Sequence, residues 1–139
     1  VAGLGGLEPV EHEEVKVLLH PLPRTAEGAR ELRDLPHFAA LVAAARSKAF
    51  RRLLAEVAGL AAPPAARPEL SVVAVPPGGY WLPQRARRKG LSFLLFLTED
   101  WWDPDSDGGA LELYAMGAGG VPNLVAPARF NSLAVYGCG

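Results

Sequence analysis

One cysteine, Cys138, is all the thiol in the 139 residues. A lone thiol excludes an internal disulfide framework and a thiolate metal site, and the expected setting is a reducing compartment, cytoplasm or nucleus. Histidine is scarce as well, with His12, His20 and His37 only. No apolar run of about 18 residues is present, so no membrane-spanning helix is expected. The opening Val1-Ala2-Gly3-Leu4-Gly5-Gly6 lacks the basic-then-apolar order of a signal peptide. Neither charge sign dominates. Fourteen Lys and Arg against 15 Asp and Glu leave a formal charge of −1, which excludes a field that would make nucleic acid or an anionic membrane the main partner. What is there is apolar: 50% hydrophobic residues with 21% charged is a globular composition that suits one ordinary domain.

Residues 1–33 mix Gly, Pro and charge with little periodicity and read as a leader or linker. Val15-Lys16-Val17-Leu18-Leu19 leaves room there for one strand. From Asp34 to Gly59 the apolar residues Phe38, Leu41, Val42, Ala45, Phe50, Leu53, Leu54 and Val57 recur at steps of three and four, the spacing of one helix face. Asp34 is the expected N-cap, Pro36 suits the first turn and Gly59 the left-handed C-terminal position. Ser47 can cap a second helix, so the pattern fits one bent helix or two short ones. The Ala/Pro stretch 61–68 ends the helical region.

Beyond it the period falls to two and β-branched and aromatic residues rise. Strands are expected over Leu70–Val75, Leu91–Thr98, Ala110–Tyr114 and Ser132–Tyr136, with a short extended piece at Tyr80-Trp81-Leu82. Leu91–Thr98 is the longest apolar run and is expected to be central and buried on both faces. Helices followed by short strands and Gly/Pro turns give an α+β or barrel-like sandwich rather than a parallel βαβ sheet.

Several stretches carry chemistry, and each has a plainer competitor. Asp103-Pro104-Asp105-Ser106-Asp107-Gly108 spaces carboxylates like a calcium loop. However, Tyr114 stands where the bidentate glutamate belongs, and a solvated turn between strands is the reading adopted. Arg85, Arg87, Arg88 and Lys89 beside Tyr80 and Trp81 are a candidate phosphate and base contact. In a near-neutral chain they read better as a charged loop. Trp101 and Trp102 suit a half-wet rim or lid. Nothing spaces the three histidines as a ligand set, and they are expected at the surface or beside a cap. Cys138 has no identified base partner.

Four strings carry a family resemblance: Tyr80-Trp81-Leu82-Pro83; Arg88-Lys89-Gly90-Leu91-Ser92-Phe93-Leu94-Leu95-Phe96-Leu97-Thr98-Glu99-Asp100-Trp101; Asp107-Gly108-Gly109-Ala110-Leu111-Glu112-Leu113-Tyr114; and Phe130-Asn131-Ser132-Leu133-Ala134-Val135-Tyr136. In this order they resemble the iron- and 2-oxoglutarate-dependent dioxygenases, in the branch of prolyl 3-hydroxylases that act on a small-subunit ribosomal protein. Leu35–Leu41 and Phe50–Leu54 are similar to that branch's helical lead-in. The resemblance implies a helical lead-in followed by a partial double-stranded β-helix, a jelly-roll-like antiparallel sheet, over residues 34–139. It also implies Fe(II) and 2-oxoglutarate as cofactors, with ascorbate as an accessory, and a proline-containing protein as substrate.

Such a site needs two histidines and a carboxylate on one face of the iron, plus an arginine for the far carboxylate of 2-oxoglutarate. Where the resemblance places a His-x-Asp pair, this chain has Pro83-Gln84-Arg85-Ala86-Arg87, and Gln84 offers a single neutral oxygen. The second histidine and the arginine belong after Ser132–Tyr136. Phe96 stands where the family's 2-oxoglutarate-binding tyrosine is expected, without the hydroxyl. The expectation is therefore an incomplete dioxygenase without activity as given, with no catalytic or metal residue assigned. An inactive homologue is one alternative. A β-sandwich interaction module using Tyr80, Trp81, Trp101 and Trp102 as anchors is another.

Overall fold

The computed structural model describes residues 7–13, 15–22, 32, 34–82, 90–115 and 120–138. They form an α+β chain in two compact units, Val1–Trp81 and Leu82–Gly139. Among the described residues no helix is long and apolar enough to cross a membrane.

The first unit is organised around a strand at the apolar run Val15–Leu19, where the sequence left room for one, and its central place in a sheet is what the pattern did not show. β1 (Glu8–His12) and β2 (Val15–Pro21) form an antiparallel hairpin in which Glu11 faces Lys16. Those two side chains make an ion pair at 3.4 Å. Pro9 is tolerated because β1 is an edge strand, where a missing N–H costs no ladder bond. On its other side β2 pairs with both β3 (Ser71–Ala74) and β4 (Tyr80–Trp81). The stretch expected to be a linker thus supplies the central strand of a four-stranded sheet. The alternation that marks it spans only a few residues, and it becomes a strand through pairing with residues more than 50 positions away.

Val15, Val17 and His20 of β2 are buried, so His20 departs from the surface position expected of it. The β3–β4 connection is a tight turn in which Gly79 N–H donates to Pro76 O at 2.7 Å and Gly78 takes φ +71°. This is the geometry that proline followed by glycine favours.

Two helices follow the hairpin in the chain and precede β3, which corrects the expected order of helices first and strands after. α1 (Pro36–Ala45) starts on Pro36, but its N-cap is Leu35 without a side-chain bond, so Asp34 does not cap it. α2 (Lys48–Val57) is separate, capped by Ser47, whose Oγ accepts from Phe50 N–H at 3.0 Å. Its end is closed by Gly59 N–H to Glu56 O and Leu60 N–H to Ala55 O, with Gly59 at φ +67°. These are the paired bonds of a left-handed glycine cap. Leu22, Leu32 and Val42 form the buried cluster, with Phe38, Ala39, Leu70 and Val72 packed on it. Each fully buried Leu or Val contributes about 1.5–3 kcal/mol. On α2 the burial falls on Leu54 and Ala55, while Leu53 and Val57 of the expected apolar face stay exposed.

The second unit holds two antiparallel ladders. β5 (Gly90–Phe96) pairs with β8 (Ser132–Cys138), and β6 (Leu111–Leu113) pairs with β7 (Leu124–Ala126). Strand alternation puts Ser92, Leu94 and Phe96 on one face of the β5–β8 ribbon with Tyr136, Ala134 and Ser132. Leu91, Phe93 and Leu95 share the other face with Val135 and Leu133. Of β5 only Phe96 is buried, so the run expected to be central and doubly buried has one hydrogen-bonded neighbour among the described residues and stays half-covered. The acidic loop, expected to be a plain turn, contains the one-turn helix α3 (Pro104–Asp107). β7 was not anticipated. Asn131 reverses the chain into β8 at φ +54°, a conformation asparagine tolerates better than most side chains.

Candidate functional site

Phe96, the one residue to which a cofactor role was attached, is the last residue of β5 and faces Ser132 across the ladder. It is 8% exposed, and its carbonyl oxygen accepts from Asn131 N–H at 3.0 Å. Two residues on, Thr98 Oγ1 donates to Ala128 O at 3.2 Å, and Ala128 is itself buried. The end of β5 is therefore anchored to the β7–β8 connection from two directions. Hydroxyls on the Phe96 face come from Ser92, Ser132 and Tyr136, spread along the ladder rather than gathered at one point.

The acidic stretch uses its carboxylates locally. Asp103 Oδ1 accepts from Asp105 N–H at 3.2 Å and its Oδ2 from the Ser106 hydroxyl at 3.0 Å. Asp107 Oδ2 accepts from Asp103 N–H at 2.9 Å. This reciprocal set closes the first turn of α3, so two carboxylates that a calcium loop would turn inward are committed to backbone donors and a hydroxyl. Trp102 completes the element, donating Nε1–H to Gly108 O at 3.0 Å. Its ring lies 6.1 Å from that of Trp101 at 48°. Trp101 is 70% exposed, so of the pair only Trp101 has the open surface of a rim residue. Downstream, the Tyr114 hydroxyl donates to Glu112 Oε2. That bond, with some desolvation and the charge of Glu112, raises the Tyr114 pKa above its ordinary value.

The remaining expected positions scatter. Gln84 and the cluster Arg85, Arg87, Arg88 and Lys89 lie outside the described residues, as does the segment 83–87 where a His-x-Asp pair was sought. His37 is exposed in the first turn of α1, His20 is buried in β2, and His12 belongs to β1. Tyr80 and Trp81, both exposed, sit in the first unit, whereas Trp101 and Trp102 sit in the second. Comparison with protein families, curated proteins and solved structures finds no match for this chain.

Among the described residues no group of three or more His, Cys, Asp and Glu is placed to hold a metal ion. The described donors do not form the three-ligand face that Fe(II) needs. One charged constellation went unread in the sequence: Lys48, Arg51 and Arg52 converge with Pro63, Pro64 and Ala65 on a cleft of about 230 Å³. Its signal was the run Leu35–Ala55, which holds four cations and no carboxylate.

Proposed function

We propose that this chain is the scaffold of an iron- and 2-oxoglutarate-dependent dioxygenase, similar to the enzymes that hydroxylate a prolyl residue of a ribosomal protein. Among its described residues no iron site is complete. The observation that carries the reading is an order of strings, from Tyr80-Trp81-Leu82-Pro83 to Phe130–Tyr136, behind a helical lead-in. Supporting it, each of the four strings contributes a strand to an antiparallel ladder: Tyr80–Trp81 in the first unit, and Gly90–Phe96, Leu111–Leu113 and Ser132–Cys138 in the two ladders of the second. In this reading the two ladders are parts of one rolled sheet, a double-stranded β-helix. Fe(II), 2-oxoglutarate and ascorbate belong to the complete enzyme, its substrate is a proline-containing protein segment, and it works in the cytoplasm or nucleus.

The test compares this chain with the polypeptide encoded by its transcript, read across Pro83-Gln84 and past Gly139. Thermal unfolding is followed with Mn(II) plus 2-oxoglutarate. The longer polypeptide is expected to gain stability, by about 2.7 kcal/mol at a hundredfold excess of ligand over its Kd. It is also expected to release succinate when a proline-containing ribosomal peptide is added. This chain alone is expected to show neither. A transcript that joins Gln84 directly to Pro83 and encodes no downstream histidine and arginine overturns the enzyme reading.

A second reading, an inactive homologue or interaction module, draws on the exposed indole of Trp101, since tryptophan is enriched among residues that dominate protein interfaces. It predicts no response to metal and 2-oxoglutarate in either polypeptide.

A further inference from the structure

We infer that the N-terminal half of α2 and the turn at Pro63–Ala65 form a binding site for a phosphate dianion, free or as a small phosphomonoester. The argument begins with charge placement. In a chain of net charge −1, the run Leu35–Ala55 holds Arg46, Lys48, Arg51 and Arg52 and no carboxylate. Lys48 is the first residue of α2, and no acidic residue lies in that helix's first turn. A cation there opposes the helix dipole, which favours negative charge at this end. Stability alone would put Asp or Glu in that turn, whereas an anion bound beside Lys48 reverses the penalty.

Geometry turns the charge into a site. Lys48, Arg51 and Arg52 stand at i, i+3 and i+4, so they share one face of the helix. That face and the prolines line the cleft of about 230 Å³, below the range of about 300–1,000 Å³ typical of larger ligands. Arg51 is held in place: its Nη1 donates to Pro64 O at 3.2 Å and to Ala65 O at 2.9 Å. The guanidinium is thereby fixed by one nitrogen, and its Nε is buried with no hydrogen-bond partner. An arginine so held has lost its rotamer freedom before ligand arrives, and its second terminal nitrogen, Nη2, is left to donate to a phosphate oxygen. The ion pair within 4 Å among the described residues is Lys16–Glu11, in the hairpin, so Lys48, Arg51 and Arg52 make no direct ion pair with a described carboxylate, although Glu56 stands one turn after Arg52.

The cleft favours a compact anion over a polymer. Its lining contains no aromatic residue on which a base could stack, and Pro63, Pro64 and Ala65 supply the rest of it.

The test is an amide-resolved NMR titration of the whole chain with inorganic phosphate and, separately, with glycerol 3-phosphate, each against sodium chloride at matched ionic strength. Saturable shifts are expected at residues 48–52 and 65–66 with one or both phosphates, and the arm that saturates tells free phosphate from ester. In Lys48→Gln/Arg52→Gln the affinity is expected to fall at least about tenfold, the loss of one or more charge-assisted bonds. The double variant is also expected to melt no lower than the parent without phosphate, because it removes a cation from the wrong end of a helix. Linear shifts indistinguishable from those with chloride, or undiminished affinity in the double variant, would overturn the site.

Discussion

The indole N–H of Trp102 donates to the carbonyl oxygen of Gly108 at 3.0 Å, tying the two ends of the α3 loop together. Gly108 and the following Gly109 have φ of +77° and +81°, and a Cβ placed on Gly109 would meet Ala128 Cβ at 3.5 Å and the Trp102 ring at 3.8 Å. Gly109 therefore lies close to both the indole and Ala128 in the segment before β8. Trp102→Phe keeps much of the apolar surface and loses the bond, and is expected to destabilise the protein by about 1 kcal/mol in urea unfolding. Trp101→Ala, removing a side chain that is 70% exposed, is expected to stay within about 0.5 kcal/mol.

Asp103 offers a separate measurement. Because its two oxygens already accept from Asp105 N–H and the Ser106 hydroxyl, calcium at millimolar concentration is expected to leave the melting temperature unchanged. Asp103→Ala is expected to cost about 0.5–2 kcal/mol, the usual loss for a helix cap. A melting temperature that rises with calcium in the parent and not in Asp103→Ala would reverse the assignment of these carboxylates to capping.

Gly79 sits where β4 approaches β2. A Cβ there would lie 2.7 Å from Pro76 O and 2.8 Å from Lys16 O, and backbone carbonyls cannot swing aside as a side-chain end can. Gly79→Ala is expected to cost about 1–3 kcal/mol, the range for forced overpacking, and to loosen amide protection at Val15 and Lys16. Gly78→Ala meets open space but must adopt φ +71°, so its cost should come from backbone strain and leave the β2–β4 ladder protected.

Tyr114 gives a pH signature. Donation to Glu112, then desolvation and the charge of Glu112, raise its pKa above the ordinary 10.0. A raised value means that the fold favours the neutral phenol. The contribution is fully present below the unfolded value near 10.0 and is lost as pH climbs through the folded value above it. Difference titration of phenolate absorbance between the parent and Glu112→Ala is expected to show one tyrosine ionising at lower pH in the variant. Identical curves would dissolve the pairing.

Ser47 and Gly59 could be read as helix boundaries because a cap is a local device, settled by one hydroxyl or one missing Cβ within a few residues. The same logic failed at Asp34, where the backbone entered α1 one residue later and left the carboxylate unused. β7 escaped notice because Leu124–Ala126 is three residues long, too short for alternation to register. The acidic loop could be read as Asp-rich but not as α3, since whether such carboxylates cap a turn or face a cation depends on backbone angles that composition does not fix. At the Phe96 position the missing hydroxyl was evident from residue type, but its burial and its tie to Asn131 were not. The basic cleft was overlooked because Arg51 reaches Pro64 and Ala65 across a connector that looked like a plain spacer.

What the residues alone determined is what depends on short range: helical structure between Pro36 and Val57, the reversal at Pro76–Gly79, strand character within Leu91–Thr98 and Ser132–Tyr136, and the exclusion of an internal disulfide by a single cysteine. What required the folded chain was partnership. Val15–Pro21 became a central strand only by pairing with β1, β3 and β4. Lys48, Arg51 and Arg52 became a shared cleft only once Pro63–Ala65 came back against them. The physical reason is the same in both cases. A hydrogen-bonded neighbour or an opposing cleft wall comes from residues that loop closure brings near, and no window of adjacent side chains contains them.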